Sequence, residues 1–136
     1  MGADQKSNEE MNRPDEVLVL STLPKTWIFD LDGTLVKHNG YKIDGIDTLL
    51  DRAIEYIGAI PEEDFILILT SRTEAFRDST IGFLRENGIR YDEILFNMPI
   101  GERIVVNDRK PSGIDMAVAI NTDRDNLKLP DIKSEL

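Results

Sequence analysis

At 136 residues, with 40% hydrophobic content and no cysteine, the chain has room for one domain with a modest core and excludes a disulfide framework or a thiolate metal site. Its net charge of −10, from 26 acidic against 16 basic residues, disfavours non-specific attraction to nucleic acid or to anionic lipid. No apolar run is long enough to span a bilayer, and the opening MGADQKSNEEMNRPDE lacks the basic start and apolar stretch of an export signal, so the expectation is a cytoplasmic, non-membrane protein.

In chain order, residues 1–24 read as a flexible acidic tail plus a lead-in. Thr26 to Leu31 then reads as a strand buried on both faces, and the next residues complete the stretch WIFDLDGTLV. Ile46, Leu49, Leu50, Ala53, Ile54 and Ile57 recur at helical spacing, with Gly58 where that helix should stop. Phe65 to Leu69 (FILIL) predicts a second buried strand, followed by a looser helix over Ala75, Phe76, Ile81, Phe83 and Leu84 that should end at Gly88. Glu93 to Phe96 and Met116 to Ile120 predict weaker strands, and Arg103 to Val106 (RIVV) a third buried one. Arg124 to Leu136 is polar, contains Pro130 and reads as a loosely attached tail. Alternation of strand and helix with such apolar runs implies an α/β domain over residues 25–123, built on a parallel sheet covered by helices.

In an open parallel sheet, ligands bind in the crevice beyond the carboxyl ends of the strands, which is where Asp30 and Asp32 would emerge. Residues two apart on an extended chain point the same way, so the pair can flank one reacting group, while Gly33 permits a sharp turn and close backbone approach. Two carboxylates that close repel each other, and a bridging divalent cation or a shared proton relieves the repulsion.

DLDGT after an apolar strand resembles the first motif of the haloacid-dehalogenase (HAD) superfamily of phosphotransferases. The resemblance, which covers roughly Lys25 to Asn121, implies a three-layer Rossmann-like fold with a five-stranded parallel sheet whose first strand is central. It also implies that Asp30 attacks phosphorus to form an aspartyl-phosphate, that Asp32 protonates the leaving oxygen and later deprotonates water, and that Gly33 and Thr34 line the phosphate site. Mg²⁺ would sit on Asp30 and the main-chain carbonyl of Asp32, neutralising charge for attack on an anionic phosphate.

LTSR resembles the second motif of that superfamily, making Thr70 the phosphate-binding hydroxyl, with Ser71 beside it, Arg72 either a charge-assisted phosphate contact or a surface residue, and the helix start near Glu74 offering backbone donors. VVNDRKP resembles the fourth motif, with Asp108 the metal ligand, Asn107 in the place of a first acid, and Asp115 a distant downstream acid that reads better as a solvated residue. The lysine of the third motif is missing, since Asn97-Met98-Pro99 stands in its place. Lys110 is the preferred replacement cation, with Arg103 the alternative. His38, the only histidine, supports no zinc site and reads as an exposed loop residue, the alternative being that it lines the substrate entrance with Lys37.

The intervals from Asp32 to Thr70 and from Thr70 to Asp108 are used up by single helices and connections, so the chain resembles capless members, with an open site accepting a bulky substrate or closed by a second copy. The expected activity is Mg²⁺-dependent phosphomonoester hydrolysis of a sugar phosphate or similar small metabolite, in a possible homo-oligomer. Two alternatives stand beside it. A phosphatase processing polynucleotide ends fits an acidic chain poorly, and nucleic acid is an unlikely partner. A degenerate module that binds a phosphorylated ligand or a partner without turnover would follow from the altered motifs at Met98 and Asn107.

Overall fold

The apolar run Phe65–Leu69 forms the middle strand of a parallel three-stranded sheet in the computed structural model, which describes residues 17–135. In chain order the elements are β1 (Val17–Leu20), β2 (Thr26–Asp30), α1 (Gly40–Ile43), α2 (Ala53–Gly58), β3 (Phe65–Leu69), a 3-10 turn (Glu74–Phe76) running into α3 (Arg77–Glu86), β4 (Glu93–Leu95) and β5 (Asp131–Ser134). β2 pairs with β3 from Thr26 opposite Phe65 to Asp30 opposite Leu69, and β3 pairs with β4 from Leu67 opposite Glu93 to Leu69 opposite Leu95. β1 and β5 form a separate two-stranded parallel sheet.

Side chains alternate across a strand, so paired residues share a face. Phe29, Ile68 and Ile94 make one buried row, with Ile66 beside them, and the buried residues of the helices, Ala53 and Ile57 of α2 and Leu84 of α3, join the same core. The opposite row, Asp30, Leu69 and Leu95, faces a more open side on which Ile28 and Leu95 are largely exposed. Asp64, buried before β3, accepts from the Trp27 indole at 3.0 Å and from the Lys25 amide at 3.0 Å, tying the start of β2 to that of β3.

Several expectations are corrected here. The five strands form two small sheets rather than one, and β2 is an edge strand of its sheet, with β3 in the centre. Burial of the strands on both faces holds for one face only, because the helices contribute their buried residues to a single side.

The helix expected from Ile46 shrinks to Ala53–Gly58, since Arg52 at φ 70° turns the chain just before it and cannot belong to a right-handed helix. The RIVV segment is irregular, with Ile104 84% and Val106 91% exposed, and no backbone hydrogen bond among the described residues ties residues 99–109 to a strand. Four apolar residues have strand propensity, but without a ladder partner their amides stay with water. Met116 to Ile120 is likewise not a strand.

The C-terminal segment is not a loose tail. Leu127 is buried, the Asp125 amide donates to the Gly33 carbonyl at 2.8 Å, and β5 pairs with β1. Of the expected N-terminal tail, residues 1–16 lie outside the described residues, and Val17–Leu20 are strand. Among the described residues no helix is long and apolar enough to cross a membrane.

Candidate active site

β2 delivers Asp30 at its carboxyl end, and the chain then turns on a single carbonyl. The amides of Thr34, Leu35 and Val36 all donate to Leu31 O, at 3.2, 2.9 and 3.2 Å. Leu31, Leu35 and Val36 are buried, so the turn that carries Asp32 is anchored by apolar packing on both sides. Gly33 adopts φ +85°, a conformation that favours glycine, and a Cβ there would press on the Arg124 side chain, 3.3 Å from its Cγ.

The two carboxylates occupy different surroundings. Asp30, its side chain 39% exposed, accepts from Thr34 Oγ1 at 3.2 Å and from an Arg103 guanidinium nitrogen at 3.3 Å. Asp32, 19% exposed, accepts on both oxygens from Arg72, at 3.1 Å from Nε and 2.9 Å from an Nη. Each acid is thus paired with a different arginine, which offsets the repulsion between them.

Arg72 follows β3 in the TSR run and is buried, its side chain only 2% exposed. Besides Asp32 it donates to both oxygens of Asp47, at 2.7 and 2.9 Å, and to Thr80 Oγ1 at 2.9 Å, while the Tyr41 ring lies 3.9 Å from its Cζ. Burial opposes the guanidinium charge, but the hydrogen bonds and charges of Asp47 and Asp32 outweigh it, and the pKa of Arg72 is raised above its ordinary value. The sequence reads Arg72 as a phosphate contact or a surface residue, and both expectations are corrected, because its donors are all taken up by Asp32, Asp47 and Thr80 in a buried position. The sequence gives no sign of Asp47, Tyr41 or Thr80, which come from a loop, α1 and α3.

Thr70 is buried, and its hydroxyl accepts from the Arg72 amide at 3.1 Å. Ser71 is exposed between the two. Lys110 stands at a turn closed by bonds between Lys110 and Ile114 and between Gly113 and Lys110, and it makes no ion pair among the described residues. Arg103 is the cation at Asp30.

Asp108 lies in the exposed segment with the Asn107 amide on its carbonyl and carboxylate, at 3.1 and 3.3 Å, and Asp115 pairs with Arg109 at 2.6 Å. The His38 amide donates to Asp125 Oδ1 at 2.7 Å, and its buried Nδ1 has no partner among the described residues.

The donor set suits Mg²⁺ in one respect. Asp30 offers a hard carboxylate at an open position, and no backbone amide among the described residues donates to the Asp32 carbonyl, which matches an ion held by one or two protein oxygens with water and substrate phosphate completing its shell. Asp108 is not part of that set, and no group of three His, Cys, Asp or Glu side chains converges among the described residues.

No family model matches the chain, and no curated protein matches it. Among solved structures, a chain from a Pnkp1/Rnl/Hen1 complex is 31% identical with a TM-score of 0.48, the match covering 60% of this chain and 31% of that one. A chain from the Pnkp1/Rnl/Hen1 RNA repair complex has the same identity, TM-score and coverage of this chain, with 28% of its own length covered. This chain thus spans less than a third of either neighbour.

Proposed function

We propose that the chain is a phosphomonoester hydrolase of the HAD type, working through an aspartyl-phosphate on Asp30 with Mg²⁺ as cofactor. The observation that carries the reading is the placement of the two acids: Asp30 is open at the end of a parallel strand, and Asp32, two residues on, is held in one orientation by a buried arginine. In this reading an Asp30 oxygen attacks phosphorus, the bond to the ester oxygen breaks, and Asp32 gives that oxygen its proton. Water then attacks the aspartyl-phosphate, Asp32 takes the proton of that water, and inorganic phosphate leaves with Asp30 restored. Arg103 meets the incoming phosphate, and the Ser71 hydroxyl and Thr34 line its approach. Asp30 and the Asp32 carbonyl would hold Mg²⁺, which when bound supplies charge neutralisation for attack on an anion.

The open approach to Asp30 and the net charge of −10 favour a small phosphorylated metabolite such as a sugar phosphate over a polyanionic strand. The test is phosphate release from p-nitrophenyl phosphate with and without Mg²⁺, followed by a panel of sugar phosphates against 3′-phosphorylated oligonucleotides. Release that needs the metal is expected. Absence of release from folded protein on every substrate would leave the binding module as the reading, and preference for the oligonucleotide would overturn the substrate class.

Arg103 and Lys110 make separable predictions. Arg103→Met is expected to lower kcat/KM at least about tenfold, equivalent to ~1.4 kcal/mol, and Lys110→Met by less. The reverse ranking in steady-state kinetics would return the role to Lys110.

A further inference from the structure

All five N–H donors of Arg72 are engaged: one on Nε and one on Nη reach Asp32, one on each Nη reaches Asp47, and the last reaches Thr80. A guanidinium whose fork is filled on two sides, and whose face is covered by Tyr41 at 3.9 Å, has no freedom to turn about its last bonds. Asp47 supplies two of those bonds from a side chain only 8% exposed, at the base of a loop whose neighbouring Ile46 is 68% exposed. A largely solvated loop that buries one carboxylate against a buried arginine does so at a desolvation cost that the paired charge offsets.

We propose that Asp47 is a positioning residue for the proton-transferring carboxylate: by holding one side of the Arg72 fork it fixes the other side, and so fixes the direction in which Asp32 presents its free lone pairs. A carboxylate has about four lone-pair sites, and the two bonds from Arg72 use two, leaving one on each oxygen for the leaving group or the attacking water. Asp47 touches neither Asp30 nor the phosphate path in this arrangement. The proposal rests on the phosphatase reading for its catalytic consequence, but the fixing of Arg72 by Asp47 can be read without turnover.

Two measurements on Asp47→Asn test it. An ester with a good leaving group needs little proton donation, whereas a poor one depends on it. The variant is therefore expected to lose at least about tenfold more kcat on phenyl phosphate than on p-nitrophenyl phosphate, with KM changed less than about twofold. Equal losses on both esters, or a change confined to KM, would overturn the proposal. In NMR spectra the Arg72 Nε–Hε resonance should be sharp and slow to exchange in the parent, and shifted and broadened in Asp47→Asn, while the backbone amides superpose.

An unmoved Arg72 resonance overturns the proposal whether or not the protein hydrolyses esters. Failure of the parent on both esters sinks the phosphatase reading instead, and the resonance alone then decides whether Asp47 holds Arg72. If Asp47→Asn does not fold, Asp47→Glu keeps the charge while displacing the fork, and the same two readouts apply to it.

Discussion

Asp30→Asn is expected to abolish metal-dependent phosphate release, lowering kcat by about 10³-fold or more, or ~4 kcal/mol of transition-state stabilisation. The amide keeps the shape of the side chain but has no charged oxygen to attack phosphorus, so no aspartyl-phosphate can form. Folding should be little affected. Asp30 is half exposed, and its contacts to Thr34 and Arg103 are long, at 3.2 and 3.3 Å, so their loss should cost under about 1 kcal/mol. Kinetics and urea denaturation on the same preparations separate the two effects. Activity within tenfold of the parent would show that Asp30 is not the nucleophile.

Arg72→Met is expected to be the most destabilising single change at the site, by about 3–5 kcal/mol, because it removes the one cation between two carboxylates and leaves Asp47 desolvated without a partner. For a chain of this size that corresponds to a fall in Tm of about 10 °C or more. The cost comes from the charges left behind, more than from the attraction lost, so Arg72→Met combined with Asp47→Asn should cost less than the sum of the two single changes. Calorimetry on the four proteins measures this coupling. A Tm for Arg72→Met within about 3 °C of the parent would mean that the buried fork contributes almost nothing. Arg72→Lys is no substitute, since an ammonium cannot fill two carboxylate forks at once.

What the sequence determined by itself is local. The branched runs TWIFD and FILIL specify β2 and β3 because such residues suit a pleated, buried surface, and Gly88, at φ +70°, ends the chain turn after α3 as its position suggests. The pairing of two acids around one residue, followed by Gly33 at φ +85°, marks the site because the acids leave the strand end together and the chain turns directly after them.

Everything that depends on which distant residue arrives was decided by the tertiary structure. RIVV has the composition of a strand and no ladder to join among the described residues, whereas the mostly polar segment Asp131–Ser134 becomes a strand because β1 offers it an edge. Arg72 reads as a phosphate contact or a surface residue until Asp32, Asp47, Thr80 and Tyr41 converge on it from four separate segments. Apolar periodicity encodes what each segment can bury, but a buried charge is stable only where its partners meet it. That meeting depends on chain closure over tens of residues, which no local pattern records.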